Sequence, residues 1–232
     1  MSQIALKSPI SLTAFHIKVF AAILMVVDHV GYVLEDEWLR IVGRFSFPLF
    51  IWLLTQGAKH TKNWQHYQRR LLVLAIASQP IYALFIGRLL PLNAVFQLWL
   101  GLILVRLVKQ RQMTVLLWFG SVGVATLFFD YGYYGIGLVY LMSSYPFLLP
   151  NRPQPISPRV NVMLWVAVFV ALHLYYDVSN FSLQIFALPV ILLIPFLNTI
   201  HERGPKARCF YWFYPLHFIP LICLGALSWH TR

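Results

Sequence analysis

Residues 12–34 read LTAFHIKVFAAILMVVDHVGYVL, and this stretch indicates the class of fold. It is long enough to cross a bilayer core as an α-helix, which takes about 20 mainly apolar residues. No small-residue cleavage pattern accompanies it, so we expect a retained first helix rather than a removed signal. The stretch nevertheless carries ionisable side chains, among them Lys18, Asp28 and His29. It therefore predicts a membrane-spanning helix with an unusual polar content.

The rest of the chain has the same apolar character. Of its 232 residues, 59% are hydrophobic and 11% are charged, and the mean hydropathy is +0.70. A soluble domain carries about 25% charged residues, so this chain has too little polar surface to cover a water-facing globule. We predict an all-α, polytopic membrane bundle that forms a single domain over residues 1–232.

Further apolar runs follow the first one, each of about 17–25 residues, the length typical of spanning helices. They cover residues 41–58, 70–87, 93–109, 113–129, 133–150, 160–178, 182–198 and 207–228. We therefore predict about nine transmembrane helices. Eight or ten are the alternatives, because internal prolines can break a spanning segment into half-helices.

Charge alternates along the connections between these runs. Basic residues fall at Lys7 and in every second connection, within 59–70, 109–111, 152–159 and 203–208. The other connections hold Glu35, Asp36, Glu37, Asp130 and Asp177. Because short cytoplasmic loops are enriched in Lys and Arg, we expect a cytoplasmic amino terminus. The positive charge behind the formal net charge of +11 is then concentrated on the side of the inner-leaflet lipids, and we predict no nucleic-acid partner.

The ionisable residues of the first run need an explanation, since each costs about 2.5–3.5 kcal/mol inside a spanning helix. Lys18 and His29 are eleven positions apart, which puts them within about 20° on one helix face and about 16 Å apart. Lys18 either extends to the inner headgroups or faces this shared stripe. Asp28 and His29 form either an interfacial polar pair or a tuned general base, in which the carboxylate favours the imidazolium.

Arg40 and Arg44 form a second polar group, four positions apart and therefore on one helix face. They lie on the predicted outer side, where arginine is otherwise scarce. An ionic partner is expected, and the candidates are Asp28, Asp36 and Asp130. The pair either makes structural salt bridges or holds an anionic or carbonyl group in a site.

The last apolar run contributes Tyr214 and His217. Pro215 between them frees a backbone carbonyl and can bend the helix, so that His217 turns into the bundle. A lone histidine in an apolar helix is most often a core residue, but a second intramembrane histidine favours a function. Asp130 precedes the sequence YGYYG and is either a helix cap or a partner of the arginines.

The predicted inner face carries a basic patch formed by Lys59, Lys62, Arg69 and Arg70. Such a patch suits lipid phosphates or a nucleotide diphosphate. The motifs HExxH, CxxC and GxxxxGK[ST] do not occur in the sequence, so we predict no metal site.

In their order along the chain, these motifs resemble the TraX family of membrane proteins, over nearly the whole length. The resemblance rests on Leu12-Thr13, Asp28-His29-Val30-Gly31, Leu39 to Arg44, Phe47-Pro48-Leu49-Phe50, His60-Thr61, Arg70-Leu71, Ser78-Gln79-Pro80, Asn93, Asp130-Tyr131-Gly132 with Tyr134-Gly135, Phe186-Ala187-Leu188 and Phe210 to His217. The family is named for an F-pilin acetylase and is similar to the acyltransferase type 3 group. Proteins of that group carry a basic residue, ten intervening positions and a histidine on the first helix. Lys18 and His29 match this spacing, although lysine lacks the planar fork of the commoner arginine.

The resemblance implies a membrane-embedded O- or N-acetyltransferase in the bacterial inner membrane. Acetyl-CoA would be the cytoplasmic acyl donor, and a pilin, glycan or lipid the acceptor. His29 would be general base or acyl carrier, with Asp28 as its electrostatic partner and His217 as a further acid–base candidate. The residues expected to position substrate are Lys18, Arg40, Arg44, Asp130 and Tyr214, and those expected to contact the CoA phosphates are Lys59, Lys62, Arg69 and Arg70.

Two other functional classes stay open at this point. A small transporter or channel would use the same polar groups as a relay, and an inverted repeat, which the sequence lacks, would favour it. An accessory protein of a pilus or envelope machine would have buried polar residues that pair only with one another, with no pocket between them.

Overall fold

The computed structural model describes residues 13–110, 112, 114–144, 157–180, 182–197, 204–205 and 209–230. In this part of the chain every regular element is helical, and an isolated bridge joins Leu92 to Phe129. The all-α prediction is confirmed. The amino-terminal segment with Lys7, the end 145–150 of the run 133–150, and the basic residues Arg152, Arg203, Lys206 and Arg208 lie outside the described residues.

The helices follow the predicted apolar runs closely. They are α1 Ala14–Leu34, α2 Glu37–Gly43, α3 Ser46–His60, α4 Trp64–Ile86, α5 Ala94–Lys109, α6 Val115–Phe128, α7 Gly132–Ser143, α8 Pro158–Asn180, α9 Val190–Leu197, α10 Phe210–Leu216 and α11 Phe218–His230. A 3₁₀ turn at Gln184–Ala187 precedes α9. Three predicted helices are interrupted. The run 41–58 contains the break between α2 and α3, the run 182–198 divides into the 3₁₀ turn and α9, and the last run contains the break between α10 and α11.

Five helical stretches within the described residues are long and apolar enough to cross a membrane. They are Ala14–Leu34, Glu37–His60, Trp64–Ile86, Arg159–Asn180 and Phe210–Leu227. By contrast, α5, α6 and α7 have 16, 14 and 12 residues, fewer than the roughly 20 that a bilayer core requires. The protein is a helical membrane protein, and the count of nine crossings stays a prediction.

Glycines let α1 and α2 approach until their backbones touch. A Cβ atom added to Gly43 would overlap the Cα and Cβ atoms of Asp28 on α1. A Cβ atom on Gly31 would lie 2.8 Å from the backbone nitrogen of Arg40 and 2.9 Å from the carbonyl oxygen of Asp36. The side chains of α2 are therefore held directly against the carboxyl-terminal part of α1.

The core of the bundle surrounds α3, whose Leu49, Ile51 and Trp52 are almost completely buried. At the carboxyl-terminal end of α3, the Lys109 ammonium of α5 donates a hydrogen bond to the Ala58 carbonyl at 3.0 Å. The same ammonium lies 5.5 Å from the ring centroid of Trp64 at the start of α4. These contacts bring together the ends of three helices.

The ends of the bundle differ in charge. The end at which α1 and α4 begin and α3 and α5 finish, called the basic end below, carries Lys18, Lys59, Lys62, Arg69, Arg70 and Lys109. The opposite end, called the acidic end, carries Asp28, Glu35, Asp36, Glu37 and Asp130 together with Arg40, Arg44 and Arg88. The alternation of charge in the sequence thus becomes a separation in space.

Candidate functional site

A buried ion pair joins α1 to the start of α3. The Arg44 Nη2 atom lies 3.0 Å from Asp28 Oδ1, and the Arg40 Nε atom lies 3.7 Å from the same oxygen. Arg44 is 9% exposed, so both charges are largely removed from water. The prediction of an acidic partner for the arginines is confirmed with Asp28. Removing one member of such a buried pair leaves the other charge uncompensated.

His29 on α1 meets His217 at the break between α10 and α11. Their Nδ1 and Nε2 atoms, respectively, are 3.2 Å apart, and their ring centroids are 5.1 Å apart. Because α10 ends at Leu216 and α11 begins at Phe218, His217 lies at the junction of the two helices, where it is buried against α1. The prediction that His217 turns into the bundle beside Pro215 is confirmed.

The expected pairing of Asp28 with His29 is not the one that the side chains make. Asp28 contacts the arginines that follow α1, whereas His29 contacts His217. Successive side chains on a helix point about 100° apart, so the neighbours face different parts of the bundle. The electrostatic partner assigned to His29 from the sequence is therefore wrong, and an imidazole stands in its place.

A cavity of about 610 Å³ extends along one face of α1. Its lining on this helix is Ala14, Lys18, Ala22, Met25 and His29, one side chain from every turn. From the first to the last of these the helix rises about 22 Å. The stripe that the Lys18–His29 spacing predicts is therefore part of the wall of a cavity, which both side chains line.

The cavity has a different chemistry at each end. Toward the basic end it is lined by Lys18, Gln56, His60, Thr61, Tyr67 and Arg70. Toward the acidic end it is lined by His29, Tyr82, Asp130, Tyr131 and Tyr214. Between them lie small and apolar side chains such as Ala22, Met25 and Leu98.

Of the four residues expected to contact phosphates, Arg70 lines this cavity. Lys59, Lys62 and Arg69 are exposed at the basic end but are not part of the lining. The Arg70 guanidinium lies 5.6 Å from the ring centroid of Tyr67, and the Lys18 ammonium lies 5.8 Å from that of Phe210. Aromatic rings thus hold the charged groups of the lining in place.

Asp130 lies in the turn between α6 and α7, and neighbouring backbone holds that turn. Its N–H donates to the Leu92 carbonyl at 3.2 Å. The buried amide of Gln97 accepts from the Tyr131 N–H at 3.2 Å and donates to the Gly132 carbonyl at 2.7 Å. The Tyr131 ring stacks on Phe47 with centroids 3.6 Å apart. The DYG motif is therefore a rigid turn that presents a carboxylate to the cavity.

The Asp130 carboxylate has polar neighbours in the cavity wall. Burial raises the pKa of this carboxyl, while the hydrogen bond donated by Tyr82 and the charge of Arg44 act in the opposite direction. Asp130 is therefore near the arginines, as predicted, but its direct hydrogen-bond partner is a tyrosine on α4. Whether as carboxylate or as acid, it places a polar group opposite α1.

Another buried histidine was not singled out from the sequence. His173 on α8 is fully buried, and its Nε2 atom lies 2.9 Å from the Tyr134 hydroxyl, which Gln184 also contacts at 3.2 Å. Its Nδ1 atom lies 2.8 Å from the Phe169 carbonyl. The signal in the sequence that could have identified His173 is an ionisable residue inside an apolar run. The network ties α7 and α8 to the 3₁₀ turn and does not line the cavity.

Several motif residues of the sequence have structural roles. The Asn93 side-chain nitrogen donates to the Ala75 carbonyl and to Gln79 Oε1, both at 2.9 Å, and its oxygen caps α5 through Val95. These contacts pin the connection between α4 and α5. Within the described residues, no group of three or more His, Cys, Asp or Glu side chains is arranged to hold a metal ion.

Fold and site together define a helical membrane protein whose bundle encloses a polar cavity. The family model described as TraX protein matches residues 14–225, and the chain belongs to this family. The predicted family is confirmed, and the matched region contains both ends of the cavity.

A curated relative extends this comparison. The chain is similar to the probable fimbrial assembly protein FimC, serogroup H1, of Dichelobacter nodosus, with 28% identity over an alignment 244 positions long that covers 92% of this chain and 96% of that protein. No solved structure matches the chain.

Proposed function

We propose that the protein is a membrane-embedded acetyltransferase, which moves an acetyl group from cytoplasmic acetyl-CoA to an amine or hydroxyl at the membrane or its outer face. The observation that carries the proposal is the cavity that joins Lys18 and Arg70 at one end to His29 and Asp130 at the other. Such a cavity lets a donor and an acceptor from different compartments meet at one histidine.

The proposed orientation in the membrane follows from the difference in charge between the two ends of the bundle. The basic end faces the cytoplasm of a bacterial cell, the amino terminus is cytoplasmic, and the chain crosses the inner membrane about nine times. The lysines and arginines of the basic end are then in the cytoplasm, where short loops are enriched in these residues. The shorter helices α5, α6 and α7 complete the count.

The donor enters from the basic end. Its phosphates are anions, and the Arg70 and Lys18 side chains in the lining supply positive charge and hydrogen-bond donors. The pantetheine arm is extended and mostly weakly polar, which suits the small and apolar wall between Lys18 and His29. This arrangement leads the thioester toward His29.

His29 acts as a general base in this scheme. Its unprotonated nitrogen takes the proton from the acceptor N–H or O–H, and the freed electron pair attacks the thioester carbonyl carbon. The C–S bond then breaks, and the CoA thiolate leaves and recovers the proton from the imidazolium. A transient acyl-His29 is the alternative course.

The other site residues support this step from further away. Asp130, Tyr82 and Tyr214 line the wall near His29 and offer polar contacts to the acceptor. Arg40 and Arg44 do not line the cavity and act through Asp28, by holding α2 and the start of α3 against α1. Membrane lipids surround the bundle.

The relative's name supports an acceptor among fimbrial components. FimC of Dichelobacter nodosus is described as a fimbrial assembly protein, and we propose a pilin subunit as the first acceptor to examine. Envelope glycans and lipids are the other acceptors. An accessory protein without chemistry would pair its buried polar groups only with one another, whereas here Lys18, His29 and Asp130 share a cavity.

Incorporation of radiolabelled acetyl groups tests the proposal. The purified protein in lipid nanodiscs is incubated with labelled acetyl-CoA and an envelope extract that contains pilin. Label should appear on the acceptor, and His29→Ala should reduce its rate of incorporation at least about 100-fold, as expected for loss of a general base. His66→Ala is the matched control, because His66 is exposed and does not line the cavity.

Two results would contradict the proposal. If His29→Ala folds and transfers acetyl groups at the wild-type rate, the mechanism is wrong. If the wild-type protein labels nothing, the transporter class takes precedence. Monodisperse gel filtration and an unchanged thermal midpoint show that each variant is folded.

A further inference from the structure

A short chain of hydrogen bonds starts at the backbone carbonyl of Tyr214. A carbonyl oxygen only accepts hydrogen bonds, so the Nδ1 atom of His217 that contacts it is the donor. This carbonyl lies in the last turn of α10, where carbonyl groups lack partners within the helix. His217 follows three residues later, and its ring contacts this carbonyl.

The proton on His217 Nδ1 determines what its other nitrogen does. In a neutral imidazole with Nδ1 protonated, Nε2 carries a lone pair and accepts. The His217 Nε2 atom lies 3.2 Å from His29 Nδ1, which must then donate. The chain therefore runs from His29 Nδ1 through both nitrogens of His217 to the Tyr214 carbonyl.

A carbonyl on α1 favours the same arrangement. The Met25 carbonyl, one turn before His29, accepts a hydrogen bond from the His29 ring. Nδ1 is the ring nitrogen closer to its own backbone, and His173 shows the same geometry, with Nδ1 2.8 Å from the Phe169 carbonyl four residues earlier. The Met25 contact is thus compatible with a proton on Nδ1, and the contact with His217 is the one that requires it.

We infer that His217 is a positioning residue that fixes the tautomer of His29, with the proton on Nδ1 and the lone pair on Nε2. Phe85 and Phe218 enclose the His29 ring at centroid distances of 5.5 and 5.2 Å and restrict its rotation. The inference rests on the proposed function for its catalytic meaning, since Nε2 is then the atom that takes the acceptor's proton. His217 therefore supports His29 and does not act as a separate acid–base group.

Nitrogen NMR measures the tautomer without any need for turnover. The protein is labelled with ¹⁵N-histidine, and the His29 signals are assigned by their loss in His29→Gln. The wild type should show His29 protonated on Nδ1. In His217→Leu, which has no acceptor, the share of His29 protonated on Nε2 should rise, whereas His217→Gln should keep the wild-type tautomer because its amide oxygen can accept. Wild-type His29 protonated on Nε2, or an unchanged ratio in His217→Leu, would overturn the inference.

Acetyl transfer supplies the second measurement. His217→Leu should lower kcat by about 10- to 100-fold with KM for acetyl-CoA unchanged, part of the effect of a general base. His217→Gln should restore kcat to within about 5-fold of wild type, which a purely structural loss would not allow. If the proposed function fails, the wild type transfers nothing while NMR still reports the tautomer. If the inference alone fails, the wild type is active and His217→Leu matches it.

Discussion

Arg69 and Arg70 are neighbours in the sequence and carry the same charge, yet their surroundings differ. Both side chains are exposed at the basic end, but of the two Arg70 lines the cavity. Adjacent side chains on a helix point about 100° apart, so one faces the cavity and the other faces away from it. The proposed phosphate contact therefore belongs to Arg70.

Arg70→Gln should raise KM for acetyl-CoA by about 3- to 10-fold. A tenfold change corresponds to about 1.4 kcal/mol, and a charge contact at an exposed mouth is worth about that or less. Steady-state kinetics of the nanodisc preparation measures the change, and it should shrink at high salt. Arg69→Gln is the control, with KM close to wild type. Equal effects of both substitutions would show that the basic end acts as a diffuse charge.

At the scale of elements, the site depends on how closely α1 and α2 approach. Gly43 packs against the backbone of Asp28, and Arg40 and Arg44 flank it in the sequence. Their ion pair with Asp28 forms because α2 can lie this close to α1. After the break between α2 and α3, Phe47 in the first turn of α3 lines the cavity.

Gly43→Ala should destabilise the protein by about 1–3 kcal/mol, the usual cost of overpacking a filled contact. The added methyl group would push α2 from α1 and weaken the ion pairs of Asp28. The thermal midpoint in detergent is the measurement. Gly120→Ala on α6 is the matched control, because a Cβ atom there has open space around it. That substitution should be neutral or stabilise the helix by up to about 1 kcal/mol. A midpoint of Gly43→Ala at the wild-type value would contradict the close packing.

At the scale of the whole molecule, charge separates into a basic and an acidic end. Lys62 is exposed in the connection between α3 and α4, and Glu37 is exposed at the start of α2. The proposed orientation places Lys62 in the cytoplasm and Glu37 outside. The cavity would then accept a cytoplasmic donor at Arg70 and deliver its acyl group toward the outer face.

Labelling of single cysteines tests this orientation. In a background without Cys209 and Cys223, which are both exposed, Glu37→Cys should react with a membrane-impermeant maleimide in intact spheroplasts. Lys62→Cys should react only after permeabilisation, because Lys-rich connections stay in the cytoplasm. The reverse pattern would place the basic end outside and would remove the route for acetyl-CoA.

Much of the fold and part of the site could be predicted from the sequence. Apolar composition and the length of the apolar runs predict a helical membrane bundle, because only helices and closed barrels satisfy the backbone in lipid. The eleven-residue spacing predicts that Lys18 and His29 share a face, since helix geometry is local. The acidic partner of the arginines was narrowed to three candidates by charge alone.

Tertiary structure decided which residues meet across the bundle. The contact between His29 and His217 spans 188 positions in the sequence, and no local periodicity encodes such a pairing. Whether Asp28 faces His29 or the arginines depends on the break after α2 and on the close approach at Gly43. The cavity likewise exists because five helices leave space between them, which is a property of their packing. The sequence by itself determined that the protein lies in a lipid bilayer and where its helices form. The packing of those helices alone determined the site between them.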